Sequence, residues 1–247
     1  MLHEIAIEDL NDRIGMVNKA FTSVAVVTGF PNFWKEFVPG AQVEPDVDVL
    51  NFEVASRDLV VHALSLHWAN DPVGQLIQCQ RALKPDGLFL GILFGGQTLN
   101  ELRTALAMAE SEVAGGLSPR VLPMADLRDV GALMQRAGFA LPVADNFTIT
   151  LTYDSAFDLM RDLRKMGESS ALNDRPRKFT QRRILTRSAE IYRDLFATDD
   201  GRVKATFEFI VLTGWAPHES QQKPLRPGSA IARLADALSA KGPGSED

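Results

Sequence analysis

Residues 57–96 constrain the fold of this chain more than any other stretch. Residues 58–61 and 88–94 are apolar runs that predict two buried strands, and a helical segment separates them. The sequence Leu-Lys-Pro-Asp-Gly at residues 83–87 predicts the end of that helix and a tight turn. A strand–helix–strand unit of this size forms a right-handed crossover between parallel strands. Because such sheets bind ligands at the carboxyl ends of their strands, we expect residues 62–71 to contribute to a site.

The rest of the chain predicts alternating helices and strands. Apolar residues at helical spacing predict a helix over residues 1–17, and β-branched residues predict a first strand over residues 23–28. Apolar residues alternate with threonines in residues 145–153, which predicts a half-exposed strand. We also expect a short helix over 31–37, one or two brief strands within 42–52, helices over 97–113, 124–137, 155–166, 175–198 and 231–238, strands over 139–143 and 203–213, and a frayed tail over 242–247.

This order of elements predicts an α/β fold. We expect one Rossmann-like sheet, mostly parallel with an antiparallel edge strand, and a helical insert at about residues 155–198 before the last strand. A chain of 247 residues can bury one large core, so we expect a single domain over residues 1–217. The composition then shifts towards Pro, Gly, Ser and Gln, which predicts a partly flexible extension over residues 218–247.

Composition narrows the classes of function. The net charge of −6 argues against nucleic acid as the main partner. No apolar run approaches the roughly 18–20 residues of a membrane span, and no signal-peptide pattern is visible at the N-terminus, so we expect a cytoplasmic protein. The single cysteine, Cys79, predicts a small buried residue and excludes a disulfide framework. The four histidines show no ligand spacing with acids, so no metal site is predicted.

The charge is spread unevenly along the chain. Residues 161–193 contain ten Lys and Arg against four Asp and Glu, a net charge of +6, so the remainder of the chain carries −12. This basic segment is either a solvated helical surface or a docking face for an acidic protein.

Several motifs resemble those of one known superfamily. The strand at 58–61, followed by Leu-Ser-Leu-His-Trp at 64–68 and the turn at 83–87, resembles the middle of the class I S-adenosylmethionine (SAM) methyltransferases. Phe-Gly-Gly-Gln-Thr-Leu at 94–99 and Met-Gly-Glu-Ser at 166–169 resemble one branch in particular. That branch contains a mitochondrial complex I assembly factor, understood to hydroxylate an arginine, and the biotin-pathway carrier-protein methyltransferases. The resemblance extends from about residue 2 to about residue 229.

The resemblance implies a SAM-binding fold, a protein client and a role like that of the assembly factor. His67 and Trp68 are the expected catalytic residues, because they follow a strand end beside the cofactor. His67 could act as a general base, and Trp68 could cover the cofactor or face a cation. The expected cofactor-binding residues are Thr28, Gly29, Phe30, Asp46, Asn51, Phe52, His62, Ala63 and Leu64, and the expected substrate-binding residues are Gly96, Arg103 and Met166.

The sequence departs from the family pattern in the half that should bind the cofactor. The family's glycine-rich turn corresponds to residues 27–33, where only Gly29 is glycine, Phe30 adds bulk and Pro31 lacks an N–H donor. Residues 29–58 span about half the usual length, and Glu44 and Asp46 are the candidate acids for the ribose. Two hypotheses therefore stand: a SAM-dependent enzyme that acts on a protein, or a non-catalytic assembly or binding factor with weak or no SAM binding. The sequence identifies neither the client nor the oligomeric state.

Overall fold

Alternating helices and strands build the protein around one mixed sheet. The computed structural model describes residues 1–222, with the exception of the Phe37 side chain, so the helix predicted over 231–238 and the predicted tail lie outside the described residues. Residues 1–217 form one compact unit. The elements are α1 (Leu2–Met16), β1 (Val24–Thr28), α2 (Pro31–Phe37), β2 (Gln42–Pro45), β3 (Arg57–Ala63), a 3₁₀ turn (Leu66–Trp68), α3 (Pro72–Ala82), β4 (Leu83–Phe94), α4 (Asn100–Ala114), α5 (Leu127–Arg136), β5 (Ala140–Tyr153), α6 (Ala156–Lys165), α7 (Arg182–Phe196) and β6 (Val203–Trp215).

The sheet has six strands in the order β2-β1-β3-β4-β6-β5. The first four strands along the chain are parallel to one another, whereas β6 runs antiparallel to both of its neighbours, β4 and β5. The helical insert, α6 and α7, lies between β5 and β6. The predicted fold class, a mostly parallel Rossmann-like sheet with an antiparallel edge, is therefore confirmed.

Successive residues of the central strands point to opposite faces of the sheet, and these residues are mostly apolar, so both faces must be buried. Helices cover each face. In β3, Leu59 and Val61 pack on one face and Val60 on the other. Cys79 is fully buried, as predicted, and burial raises the pKa of its thiol. The first face is covered by α1, α4, α6 and α7, through residues that include Leu2, Leu10, Leu102, Leu159 and Tyr192, and the second by α3 and α5, through Leu76, Cys79, Val130 and Met134.

The helix predicted over residues 175–198 is shorter in the structure, since α7 begins at Arg182. Two other predicted boundaries differ for local reasons. The turn predicted at residues 83–87 forms an irregularity inside β4, where the register against β3 shifts and Asp86 has a φ of 61°. The two strands predicted over 139–143 and 145–153 form one strand, β5, which is irregular near Leu141. In both places the chain accommodates extra residues as a bulge and continues its pairing.

The stretch between β1 and β3 is short, as the sequence indicates. It holds α2 and β2 only, and residues 46–56 follow as irregular chain. The amide of Gln78 on α3 anchors this chain, since its Oε1 accepts from the Leu50 N–H at 2.8 Å and its Nε2 donates to the Asp48 carbonyl at 2.9 Å. Since no further strand forms in this stretch, β2 is the edge strand on this side of the sheet.

Among the helices of residues 1–222, none is both long and apolar enough to cross a membrane.

Candidate functional site

The loop after β3 presents His67 and Trp68 at the carboxyl edge of the parallel strands. β3 ends at Ala63, and Leu64 then adopts a left-handed conformation with a φ of 49°. Its N–H donates to the Ile92 carbonyl of β4 at 2.8 Å, which holds this unusual conformation in place. A residue in this conformation costs about 1–3 kcal/mol and persists only where the surrounding structure holds it. Such residues are found most often at functional sites. The 3₁₀ turn that follows carries both predicted catalytic residues.

A carboxylate from the helical insert meets these two side chains. Glu168 follows α6 by three residues, and its Oε2 accepts a hydrogen bond from Trp68 Nε1 at 2.9 Å. The same oxygen lies 3.4 Å from His67 Nε2. The His67 side chain is 1% exposed and that of Glu168 is 11% exposed. Because a carboxylate only accepts hydrogen bonds, this contact favours the tautomer with the proton on Nε2. His67 Nδ1 is then an acceptor, buried without a partner among the described residues.

Trp68 and Glu168 border a small cavity of about 50 Å³. One buried water needs roughly 10–15 Å³ by this measure, so the cavity has room for about four waters, the size of a small polar side-chain head. The hydroxyl of Ser170 at its wall is buried without a partner among the described residues. The remaining lining is mainly apolar, and the full set is Trp68, Phe94, Thr98, Leu99, Leu102, Arg120, Val121, Leu122, Met124, Leu163, Glu168, Ser170 and Phe207.

A larger recess, about 220 Å³, shares Glu168, Ser170 and Arg120 with this cavity. It extends to Arg164 at the end of α6 and to Leu185 on α7. The shared walls place the recess directly beside the cavity, on the side of the helical insert.

The charge at the cavity is negative. Arg120 is neutralised by Glu110, whose Oε1 lies 2.7 Å from its Nη2, and Arg120 also donates to Thr180 Oγ1 at 2.9 Å. Partial burial raises the pKa of Glu110, but hydrogen bonds from Arg120 and Ser118 outweigh it and lower that pKa overall. By contrast, Glu168 has no Lys or Arg within ion-pair distance in residues 1–222. An additional cation would therefore be attracted to Glu168.

The end of β1 is covered by an aromatic ring. Thr28 is fully buried, and its Oγ1 accepts from the Phe30 N–H at 3.2 Å. The Phe30 ring lies 4.8 Å from the His3 ring, and a Cβ on Gly167 would come within 2.8 Å of it. Gly167 has a φ of 75°. Residues 167 and 168 thus contact Phe30 on one side and the His67–Trp68 loop on the other.

Asp46 and His62, both predicted to bind the cofactor, are bridged by one buried amide. Gln75 Oε1 lies 2.7 Å from His62 Nε2, and Gln75 Nε2 donates to Asp46 Oδ1 at 3.1 Å. Burial lowers the pKa of His62, and the hydrogen bond with Gln75 and the attraction of Asp46 only partly oppose this effect. His62 is therefore a neutral interior residue, while Asp46, directly after β2, keeps a partly exposed carboxylate.

The other predicted site residues have different surroundings. Asn51 is exposed, Phe52 packs at the edge of the core, and Ala63 is buried. Met166 ends α6 and packs against the core. A Cβ on Gly96 would lie 3.6 Å from the Met124 carbonyl, an ordinary contact.

Arg103 lies outside the cavity beside Trp68. Its Nη2 donates to the carbonyls of Thr98 and Leu122, at 3.4 and 3.2 Å, which ties α4 to the loop before α5. It lines a separate hollow with Pro119 and Pro123. Its predicted role in substrate binding stays a prediction.

Glu168 and Ser170 are site residues that the sequence reasoning does not identify. The motif at residues 166–169 carries part of the resemblance, but nothing in it indicates that Glu168 reaches a tryptophan one hundred residues earlier. The one local signal is Gly167, because a glycine after a helix often marks its left-handed end, but this signal does not indicate what Glu168 contacts.

Some of these residues fit SAM, the cofactor that the resemblance implies. Asp46 directly follows β2, where an acid can accept hydrogen bonds from a ribose diol. At Gly29 a Cβ would meet no atom within 4 Å, which leaves space for a ligand against the backbone. The cavity at Trp68 is too small for a nucleoside. Asp46 and the backbone at Gly29 are therefore the residues that would hold a SAM molecule. In residues 1–222 no three His, Cys, Asp or Glu side chains gather as a metal site.

Comparisons with known proteins agree with the fold. Residues 11–91 match the methyltransferase domain family. A methyltransferase assigned in Bacillus halodurans has a TM-score of 0.53 at 15% identity, covering 86% of this chain and 99% of that one. The YcgJ protein of Bacillus subtilis has a TM-score of 0.52 at 14% identity, covering 85% and 99%. At such identities these structures support the fold alone.

Two groups of curated relatives match most of the chain. The mitochondrial arginine-hydroxylase NDUFAF5 of Homo sapiens is 39% identical over 220 residues, which are 89% of this chain and 64% of the relative. That of Dictyostelium discoideum is 46% identical over 185 residues, 74% and 42%. The malonyl-[acyl-carrier protein] O-methyltransferase of Halorhodospira halophila is 38% identical over 178 residues, 72% and 58%. The chain spans less than two thirds of the length of each of these relatives.

Proposed function

We propose that this chain, which matches the methyltransferase domain family over residues 11–91, is a SAM-dependent enzyme that acts on an arginine of a protein client. The observation that carries this proposal is the Glu168 carboxylate, 11% exposed, which lacks a Lys or Arg partner among the described residues and borders an aromatic-lined cavity. The client's guanidinium would enter the cavity that Trp68 and Glu168 border. An assembly role and a cytoplasmic location are further parts of the proposal.

The cavity suits a guanidinium better than an ammonium. A guanidinium is planar, can donate two parallel hydrogen bonds to one carboxylate, and stacks on aromatic faces such as those of Trp68 and Phe94. A further N–H could donate to the unpartnered Ser170 hydroxyl. The room for about four waters also matches the size of this group. The names of the two relative groups, an arginine hydroxylase and a methyltransferase of a protein-bound malonyl group, support a protein client.

The cofactor would be held by Asp46 and by the backbone at Gly29. When bound, SAM supplies a methyl group on a positively charged sulfur. The residues of this chain have the remaining tasks: Glu168 and Trp68 orient the acceptor, and His67, whose Nδ1 is free to accept, remains the predicted general base.

A second candidate function is favoured by the covered end of β1. Phe30 packs against His3 and Gly167 where the family has its glycine-rich turn, and Pro31 removes an N–H there. A protein that has lost these backbone contacts to the cofactor could retain the cation site as a non-catalytic binding factor. Both candidates use Glu168, and they differ in whether SAM binds.

The experiment for the shared cation site is a titration followed by the indole N–H signal of Trp68 in NMR spectra. A capped Gly-Arg-Gly peptide should shift this signal, whereas the same peptide with citrulline, which has a similar shape without the charge, should not. Glu168→Gln should weaken binding of the arginine peptide by about 10–100-fold, because a hydrogen bond to a charged group contributes about 1.5–3 kcal/mol.

The matched control is Glu112→Gln, which removes an exposed carboxylate that pairs with Arg187 on the surface. It should bind the arginine peptide as the wild-type protein does. Equal shifts with arginine and citrulline, or unchanged binding in Glu168→Gln, would contradict the proposed site.

A further inference from the structure

Residues 175–183 form the most strongly basic stretch of the described surface, and we call it the basic loop. It contains Arg175, Arg177, Lys178, Arg182 and Arg183 and no acidic residue. Within residues 1–222, no carboxylate lies within ion-pair distance of any of these five side chains. The repulsion between these cations is therefore not compensated inside the described part of the protein.

The basic loop leads into a groove between α4 and α7. The groove has a volume of about 580 Å³ and is lined by Glu112, Val113, Arg182, Arg183, Thr186, Arg187 and Glu190. Only Arg187 is neutralised, by Glu112 at 2.6 Å and Glu190 at 3.1 Å. α7 begins at Arg182 with no acidic residue in its first turn and no capping side chain. The partial positive charge of the helix terminus thus adds to that of Arg182 and Arg183.

An aromatic side chain stands among these cations. Phe179 is fully exposed, with a relative exposure of 104%. The neighbouring Thr180 is tied by Arg120 to the loop after α4, where Leu117 is 71% exposed. Exposed aromatic residues together with arginines are the residue types that dominate the binding energy of protein interfaces.

We propose that the basic loop and the groove between α4 and α7 form a docking surface for an acidic segment of a partner protein. Carboxylates of that segment would pair with Arg182 and Arg183, and one of its apolar side chains would cover Phe179. The groove is concave, so it fits a peptide segment better than a flat bilayer. The charge of −12 outside residues 161–193 also disfavours extended contact with a polyanion such as nucleic acid or an anionic membrane.

The docking surface includes the start of α7, which also lines the recess beside the cavity. Leu185 of α7 lines that recess together with Glu168, and Arg182 is one helical turn before Leu185. A docked partner would therefore be held close to this recess. This surface goes beyond the proposed function, since it would serve an enzyme and a binding factor alike, and its test requires neither cofactor nor turnover.

The test uses a fluorescein-labelled peptide of about twelve residues, composed of glutamate and leucine, with binding followed by fluorescence anisotropy. The wild-type protein should bind it at low salt and lose affinity as salt rises from about 50 to about 500 mM, because screening shortens the range of the attraction. Arg182→Glu combined with Arg183→Glu should weaken binding at least about tenfold, and Phe179→Ala should weaken it about threefold to tenfold.

The matched control combines Arg128→Glu with Arg136→Glu, two exposed arginines of α5, and changes the net charge by the same amount. It should bind the peptide within about twofold to threefold of the wild-type protein. Circular dichroism verifies that both double variants fold. Equal loss in the two variants, or no binding at low salt, would overturn the proposal. So would binding to vesicles of phosphatidylcholine and phosphatidylserine, at about 3:1, that depends on Arg182 and Arg183 when the peptide does not bind.

Discussion

The two halves of the parallel sheet differ in how they are built and in what completes them. β3 and β4 are buried on both faces over most of their length. β1 is buried but has only five residues, and the four residues of β2 are all partly or fully exposed. In the half that contains β3 and β4, Trp68 donates a hydrogen bond to Glu168. In the half that contains β1 and β2, the Phe30 ring packs against Gly167. Gly167 and Glu168, two neighbouring residues of the helical insert, thus contact one half each. The insert therefore takes part in building the site and closes the shortened half.

Substitutions that shorten an apolar side chain should show the largest difference in stability between the two halves. Leu90→Ala in β4 removes a fully buried side chain and should reduce the free energy of unfolding by about 2–5 kcal/mol. Val43→Ala in β2 removes a partly buried side chain and should cost about 1 kcal/mol. Urea denaturation measures both changes. Equal costs would show that β2 is as well packed as the centre of the sheet.

A substitution at Gly167 tests the contact that closes the β1 half. Gly167→Ala should reduce the free energy of unfolding by about 2–4 kcal/mol, because the left-handed conformation costs about 1–2 kcal/mol and the new methyl group would meet the Phe30 ring. The control is Gly201→Ala, which has a similar φ of 78° and no atom within 4 Å, so it should show the backbone cost alone.

In a Phe30→Ala background the two glycine substitutions should become alike, as a double-mutant cycle by urea denaturation would reveal. If the cost of Gly167→Ala is unchanged in that background, the ring contact contributes nothing.

Lowering the pH should reduce the stability of the protein through protonation of His62 in β3. Burial lowers the pKa of His62, so the unfolded chain binds the proton first, at its ordinary pKa near 6.5. The stabilisation is fully present above about pH 6.5 and is lost as the pH falls towards the folded value, by up to about 1.4 kcal/mol per pH unit. The pKa of His3 is lowered as well, mainly by burial, and adds in the same direction.

The measurement compares urea denaturation at about pH 7.5 and about pH 5.5 in the wild-type protein and in His62→Gln. The variant should lose less stability between the two pH values. The same pH dependence in both proteins would assign the effect to other groups.

Phe30→Ala should have the smallest effect and acts on the cofactor half alone. Removal of the ring uncovers the end of β1, and we expect SAM to bind about twofold to fivefold more tightly, as calorimetry would measure. A loss of SAM affinity would mean that the ring forms part of the cofactor site, as the resemblance implies for Phe30.

The sequence predicts the β3–β4 half well, because its information is local. Apolar runs and the Pro-Asp-Gly turn lie within a few residues of the structure they determine, and the fold class follows from their order. The site depends on contacts that no local pattern encodes. Glu168 meets Trp68 across one hundred residues, and α4 begins at Asn100 because Leu99 is left-handed and Thr98 bonds to Glu208 of β6. Only the tertiary structure brings these residues together.

The most direct test of the central claim, that the shortened half still binds SAM, is a calorimetric titration supported by thermal shift. A micromolar cofactor corresponds to about −8 kcal/mol, and the loss of glycine-loop contacts should weaken it to a Kd of roughly 10 µM to 1 mM. At about one hundred times Kd, SAM should stabilise the protein by about 2.7 kcal/mol. Measurable heat and a raised Tm are the results that we predict. No heat and no shift with millimolar SAM or S-adenosylhomocysteine would contradict the enzyme and leave the binding factor.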